Sequence, residues 1–528
     1  MKPANDHLPG STASEYLPGS DSADQPDATD PAATTEGAEP LETPGQWLDR
    51  KFPGLSAKHG APLRTQANAE GHERVVDINE DFFAAILGME GDPEQPTVFL
   101  PKEGRFDRYV NNPEDPNHGT FVEVAEEVLC ERISQLLLEC ARESESAVDV
   151  TNLQFSLRSG RKLKGVIEKA KAILMVPDDY FERGRLEHLA CANGMLRLED
   201  MTLAPFSPAF HCRHKLAVPY IEGAICPMFL DLLIRPALHA EDIDLLQRWM
   251  GLAISGVNMA QVILLLIGTA GGGKGCLVRV ITGILGARQV AALRVSLLNS
   301  RFEIGRFLDR TLLYGADVKA TFLNQEGAPV LKQLTGGDPI TAELKNSNAN
   351  IEAVCRFNVL LTSNSRLKVR LEGDDAAWRR RLRIISFENA PPTKIIADLS
   401  ERIVAEEGAG VLNFMLEGLA KLRAEGWQIP LSGQQQRRVD DLLSESDSVR
   451  QFVQEKVVAV EGQPLTVERA FAAYLGYCGK RGWSPLSHAQ FGKAVADVMA
   501  ELFHISVRHD VADTVGHDQR GWKGVTIK

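Results

Sequence analysis

Hydrophobic and polar positions follow three rhythms along this chain. Between Pro227 and about Asn389 the short apolar runs QVILLLIG, TLLYGADV, RFNVLLTSN and RLRIISFE are separated by stretches with helical spacing. That alternation predicts an α/β layer fold with a largely parallel sheet. Each run ends in polar residues, and ligand chemistry in open α/β sheets gathers at the C-terminal ends of strands. Upstream, from about Val75 to Ile225, the pattern is mixed. FVEVAEEVLCERISQLLLECARE and RKLKGVIEKAKAIL predict helices, whereas NGMLRLED and MTLAPFSP, punctuated by Gly and Pro, predict short strands. Beyond Pro391, SERIVAEEGAGVLNFMLEGLAKLRAEG is helical. SDSVRQFVQEKV, TVERAFAAYLGYCGKRG and SHAQFGKAVADVMAEL then predict three helices, with FHISVRHD and GWKGVTIK as strands flanking a polar turn. Three helices and a β-hairpin make a winged helix. No internal repeat or heptad run interrupts this plan.

Charge changes the picture at one end. The net charge of −13 argues at first against a nucleic-acid partner, yet up to Pro44 nine acidic residues stand against Lys2 alone. Most of the excess therefore sits in a Pro-, Ala-, Gly- and Ser-rich stretch with almost no large apolar side chain, which predicts disorder. The expected division is a disordered acidic tail over 1–74, an α+β domain over 75–225, an α/β domain over 226–390, and a helical linker with a winged helix over 391–528. Apolar runs such as VILLLI are far shorter than the roughly 20 residues of a membrane span, and the N-terminus has neither the basic start nor the apolar stretch of a signal peptide. A cytoplasmic protein without a membrane partner is expected. Eight cysteines without a CxxC pair disfavour structural zinc and disulfides.

The candidate chemistry lies at the strand ends. GTAGGGKGC, residues 268–276, follows QVILLLI and precedes LVRVITGIL, which gives strand, glycine-rich turn and helix in the order a phosphate-binding loop needs. Glycines let successive N–H groups point at phosphates, and a lysine adds charge on the outer ones. Gly268, Thr269, Ala270, Gly271, Gly272, Gly273, Lys274, Gly275 and Cys276 are thus expected to cradle ATP. Asp317 ends the second run, where it can hold Mg²⁺ directly or through water, or cap a helix instead. Thr362, Ser363 and Asn364 end the third, and a neutral amide there can orient the attacking water. Arg379, Arg380 and Arg381 precede the fourth run, either solvated or offered to a neighbouring subunit's γ-phosphate.

The order of phosphate loop, single acid, TSN and RRRLRIISF resembles the superfamily 3 helicases, and specifically the phage and plasmid primase-helicase family that includes poxvirus-type proteins. LKQLTGGDPITAELKNSNANIEAVCRFNVLLTSN carries much of the likeness. CANGMLRLEDMTLAPFSP, VPYIEGAICPMFLDLLI and LLQRWMGLAISG are similar to that family's accessory domain, and SDSVRQFVQEKV through YLGYCGKRGWSPLSHAQFGKAV is similar to its winged helix.

The resemblance implies an AAA+-like P-loop ATPase that assembles as a ring, commonly a hexamer, and translocates on single-stranded DNA. On that pattern Lys274 binds phosphates, Asp317 serves the metal, Asn364 is the sensor, and Arg380 or Arg381 is the finger. Lys345 would track DNA phosphates from a central-channel hairpin between Asp338 and Arg356. Replication-origin duplex would meet the winged helix, where Lys493, Arg508, Arg520 and Lys523 are the candidate contacts, with the basic helix from Arg161 to Lys171 as the next candidate. Priming is expected from a separate primase or initiator chain, because the first 74 residues are too few for a polymerising domain.

Two departures stand out. Gly275 occupies the place of the hydroxyl that normally ligates Mg²⁺, and Ala316 rather than a second acid precedes Asp317. They keep open a DNA-binding ring that does not hydrolyse ATP. The GKG form also occurs in nucleoside monophosphate kinases, but those resemble compact chains with the loop near the N-terminus.

Overall fold

The structure, a computed structural model, describes residues 41–300, 302–343, 350–369, 375–389, 396–512 and 517–528. Its centre is a parallel sheet whose five strands run, edge to edge, Val290–Ala292, Leu312–Gly315, Asn358–Ser363, Ile263–Gly268 and Leu382–Phe387. The strands are near-continuous apolar runs because both faces are covered. Period-two alternation divides their side chains between two cores. Leu264, Leu266, Leu360 and Ile385 face one with Leu277, Ile281, Trp249 and Met415, and Ile263, Leu265, Val359 and Ile384 face the other with Leu331, Leu334, Trp378 and Val439.

These cores redraw the expected boundaries. The long helix Leu399–Ala424 packs against the helices Ala240–Ser255 and Lys274–Leu285, and Val439, Leu442 and Leu443 close the opposite face. Residues 399–443 therefore belong to the α/β unit and form no separate linker after 390. The long helix approaches its partner at Gly251 and Gly418. A Cβ at Gly418 would lie 1.9 Å from the Gln247 carbonyl oxygen, a backbone atom with no room to yield. Gly418→Ala is accordingly expected to destabilise this unit by about 1–3 kcal/mol, read as a lower denaturant midpoint.

Upstream, helices and antiparallel sheets make an α+β unit, and it begins earlier than expected. Thr43 caps the helix Pro44–Lys51 with a capping box, and Trp47 and Leu48 are buried against Phe82, Leu137 and Cys140. The hairpin Leu63–Ala67 with Glu73–Ile78 follows. Residues 44–67 are thus structured, because Trp47, Leu48 and Leu55 give this stretch the apolar area that the acidic segment before it lacks. Phe121–Val124 is a strand paired with Arg105–Tyr109, and the expected helix starts only at Glu126.

An ionic cluster joins this unit to the α/β core. Arg105 grips Asp309 at 2.6 and 2.7 Å, while Arg213 reaches Glu103 at 2.9 Å and the buried Asp107 at 2.7 Å. Burial works against ionisation of Asp309, yet the hydrogen bonds and charge of Arg105 hold its carboxyl below the ordinary range. Asp309 stands just before the strand Leu312–Gly315.

The last unit runs helix Ser448–Lys456, strand Val457–Thr466, helices Val467–Arg481 and His488–Phe503, then strands Arg508–Ala512 and Asp518–Ile527. Its three strands pair antiparallel with the last in the middle, around a core of Tyr474, Phe491 and Trp522. The first strand escapes the sequence pattern because Gly462 and Pro464 break its alternation at a bulge. Three contacts, braced by a fourth between Ser484 and Glu445, fasten this end of the chain to the loop after Asn364. Lys368 Nζ donates to the Ser484 carbonyl at 3.0 Å, Val369 N donates to Ser446 Oγ at 3.0 Å, and Glu445 takes Arg366 at 3.6 Å and Ser484 N at 3.0 Å. Among the described residues no helix is long and apolar enough to cross a membrane.

Candidate functional site

The glycine turn folds tightly because three of its positions exclude a side chain or require a left-handed backbone. A Cβ at Gly268 would lie 2.3 Å from the Phe387 carbonyl oxygen of the adjacent strand, and Gly271 and Gly273 adopt φ of 81° and 97°. Gly273 is the N-cap of the helix Lys274–Leu285, and no side chain caps that helix. Its first N–H groups therefore face the turn with no intrahelical acceptor. Lys274 is buried, and its ammonium donates to the Gly268 and Thr269 carbonyls at 2.8 Å each. Burial lowers its pKa, and the charge of Asp317 pulls the other way.

The strand Asn358–Ser363, the middle one of the five, lies between Ile263–Gly268 and Leu312–Gly315, which brings Asn364 beside Asp317 and opposite Lys274. Asp317 has φ of 41° and is fixed through its backbone N–H, which donates to Thr362 Oγ1 at 2.9 Å. Val318 N donates to the Thr362 carbonyl at 2.8 Å, and Ser363 Oγ to the Val318 carbonyl at 2.8 Å. The carboxylate itself stays exposed, with a long 3.4 Å contact from Asn364 Nδ2. Asp317 binds the loop in place by its main chain and keeps its side chain for the cavity.

That cavity has a volume of about 490 Å³, within the range of small-molecule pockets. The glycine turn, Lys274, Asp317 and Asn364 form its polar end. Leu232, Leu233 and Pro236 form an apolar wall opposite Leu399. The wall comes from the π-helix Met228–Ile234, whose Met228 and Phe229 N–H groups donate to the buried Glu407 carboxylate at 2.9 and 3.0 Å. Asn389 Nδ2 closes the wall on the Pro236 carbonyl at 2.7 Å. A polar, cation-bearing end and an apolar end suit a phosphorylated ligand with a flat ring. For Mg²⁺, Asp317 is the carboxylate that fits, and the exposed Gly275 contributes no hydroxyl.

The arginines separate. Arg381 is 3% exposed and donates to the Ala377 and Lys332 carbonyls at 3.2 and 3.3 Å, so it is a packing residue and not a free finger. Arg379 pairs with Asp440 and Asp375. Arg380 is exposed, and its guanidinium has no partner among the described residues. It precedes the strand Leu382–Phe387, whose first residue is in register with Ile263 and whose last is in register with Gly268. Five strand steps at about 3.3 Å separate Leu382 from Phe387 by roughly 17 Å, so Arg380, just before Leu382, lies at the end of the sheet away from its own glycine turn.

The predicted DNA contacts also divide. Lys345 lies outside the described residues. Arg508 and Lys523 both close on Asp510, at 2.7 and 3.0 Å, and hold its carboxyl far below the usual range, Arg508 first. Lys493 is exposed and unpaired among the described residues, and exposed Arg520 has only a 3.5 Å contact to the Gly492 carbonyl. On the basic helix Gly160–Ile173, Lys162, Lys169 and Lys171 pair with Asp77, Asp81 and Glu126. That helix is engaged with its own unit. Sequence reading missed Arg279, Tyr314 and Asn389 at the cavity. Arg279 had a signal, four residues after Gly275 on one helix face.

The fold and site define a multi-unit α/β protein with a parallel sheet and a ligand-sized cleft at its strand ends. A family model described as D5 N terminal like matches residues 103–250, and one described as a family of unknown function, DUF5906, matches residues 266–381. A search of curated proteins gives no match. Among solved structures the chain is similar to the NrS-1 C-terminal region. An A form apo structure of its residues 305–718 has a TM-score of 0.44 at 13% identity, covering 80% of this chain and 92% of that one. A second apo structure of the region has a TM-score of 0.42 at 12% identity, covering 84% and 99%.

Proposed function

We propose that this chain is an ATP-dependent DNA helicase of primase-helicase type, working in replication as a ring of identical subunits. The observation that carries the reading is the buried Lys274 at the head of an uncapped helix, facing Asp317 and Asn364 across one cavity. The D5 N terminal like match and the quoted motifs support the primase-helicase part.

In this reading ATP lays its phosphates on the glycine turn and its base against Leu232 and Leu233. Lys274 leaves the Gly268 and Thr269 carbonyls for the outer phosphates. Asp317, with water, would hold Mg²⁺, which would supply positive charge against the phosphate chain. Asn364 orients the attacking water, and Arg380 of a neighbouring subunit meets the γ-phosphate, since it stands at the opposite end of its own sheet. Helix, strand, two helices and a hairpin make the last unit a winged helix, with Lys493 and Arg520 as its free cations for duplex. Lys345 remains the proposed contact to single-stranded DNA.

Phosphate release with and without single-stranded DNA tests the reading, and stimulated hydrolysis is expected. The absence of a hydroxyl at Gly275 favours one rival, a ring that binds ATP without turnover, and measured hydrolysis removes it. Asp317→Asn is expected to bind ATP and hydrolyse it roughly 100-fold more slowly. Loss of binding would recast Asp317 as structural.

A further inference from the structure

Gly275 is the second residue of the helix Lys274–Leu285, a position where glycine costs up to about 1 kcal/mol against alanine. Its backbone does not require glycine. Its φ lies outside the left-handed region, and a Cβ built there meets only Arg279 Nη1, at 3.7 Å. Long helical side chains lean towards the N-terminus over the preceding turn. Arg279, one turn on, does this, and its guanidinium stands over the bare Gly275 backbone at the mouth of the cavity.

The guanidinium is held there from another element. Arg279 Nε donates to Ser400 Oγ at 2.8 Å, and Glu401 lies 3.7 Å away, both on the first turn of the long helix. Neither Nη group has a hydrogen-bond partner among the described residues. One end of a planar five-donor group is anchored, and the other end is open towards the space that also holds Lys274.

We propose that Arg279 binds the phosphate chain of the nucleotide directly, from within the same subunit, over the bare backbone of Gly275. This rests on the nucleotide reading of the cavity. A threonine or serine at 275 would set a side chain against the guanidinium. Without one, a fixed cation stands where a hydroxyl would otherwise help hold Mg²⁺. Nucleotide binding then depends less on the divalent ion than it would with Lys274 as the one fixed charge.

The test is calorimetric binding of ADP and of adenosine to the full chain, each with excess Mg²⁺ and with EDTA. Wild type is expected to keep ADP affinity in EDTA to within about tenfold. Arg279→Ala is expected to weaken ADP by about tenfold with Mg²⁺ and more in EDTA, the scale of one charge-assisted contact in a half-open site. It should leave adenosine unchanged, because only the phosphates are lost as partners. Arg279→Lys should fall between. Gly275→Thr should steepen the Mg²⁺ dependence of ADP binding. If ADP binds wild type and Arg279→Ala equally in both buffers, the assignment is wrong while the nucleotide site stands. Equal losses of ADP and adenosine also overturn it, by showing a packing role. Failure of wild type to bind ADP at all removes the nucleotide reading itself.

Discussion

Lys274→Ala is expected to lower ATP turnover by at least roughly 10²–10³-fold, the scale of losing a preorganised charge at the reacting group. The ammonium rests on two loop carbonyls and is already partly dehydrated, so it reaches the outer phosphates with little reorganisation. Arg279 does not substitute for it, because its Nε is tied to Ser400 at the cavity mouth. Phosphate release by the purified variant checks this, alongside circular dichroism to confirm folding. Turnover near wild type would remove Lys274 from the reaction and the glycine turn with it.

The second large effect separates two adjacent arginines. Arg380→Ala is expected to reduce hydrolysis about 10³-fold while leaving ATP affinity within about twofold, as for a charge supplied in trans to the transition state. Arg381→Ala should instead lower stability, since the Ala377 and Lys332 carbonyls each lose a hydrogen bond from the guanidinium and the buried volume it fills is emptied. Mixing supplies the decisive measurement. Lys274→Ala subunits carry an intact Arg380, and Arg380→Ala subunits carry an intact glycine turn. Neither is active alone, so activity regained in mixed assemblies requires a site built from two chains. If mixed assemblies form and stay inactive, Arg380 does not act across an interface.

Much of the site was legible because each piece ended a continuous apolar run. VILLLI, LLYG and NVLL are largely buried on both faces, so the chain had to turn where polar residues begin, and Lys274, Asp317 and Asn364 follow from that. The arginines were less legible. RRR reads as one charged cluster, yet helical geometry buries Arg381, pairs Arg379 and frees Arg380. The linker expected after 390 failed for a related reason. The long helix shows an apolar face in sequence, but which core it joins depends on the mutual approach at Gly251 and Gly418, a property of two distant segments. Among the four C-terminal cations, the sequence pattern did not show that Arg508 and Lys523 share Asp510, two residues from Arg508 and on the strand beside Lys523, in a three-way contact that a tally of positive residues misses.

The fastening between the loop after Asn364 and the last unit bears on how exchangeable that unit is. A terminal unit joined only by a tether would be portable, replaceable without effect on the rest of the chain. Here the seam includes the Ser484 carbonyl and the Ser446 hydroxyl, met by Lys368 and Val369 within five residues of Asn364. A transplanted unit whose backbone does not return to the place of Ser484 would leave Lys368 without the carbonyl it meets, four residues from Asn364. Chimeras joined after Ser446 that ignore this seam are therefore expected to disturb the setting of Asn364 as well as the exchanged unit, so the last unit and the α/β unit are constrained to change together.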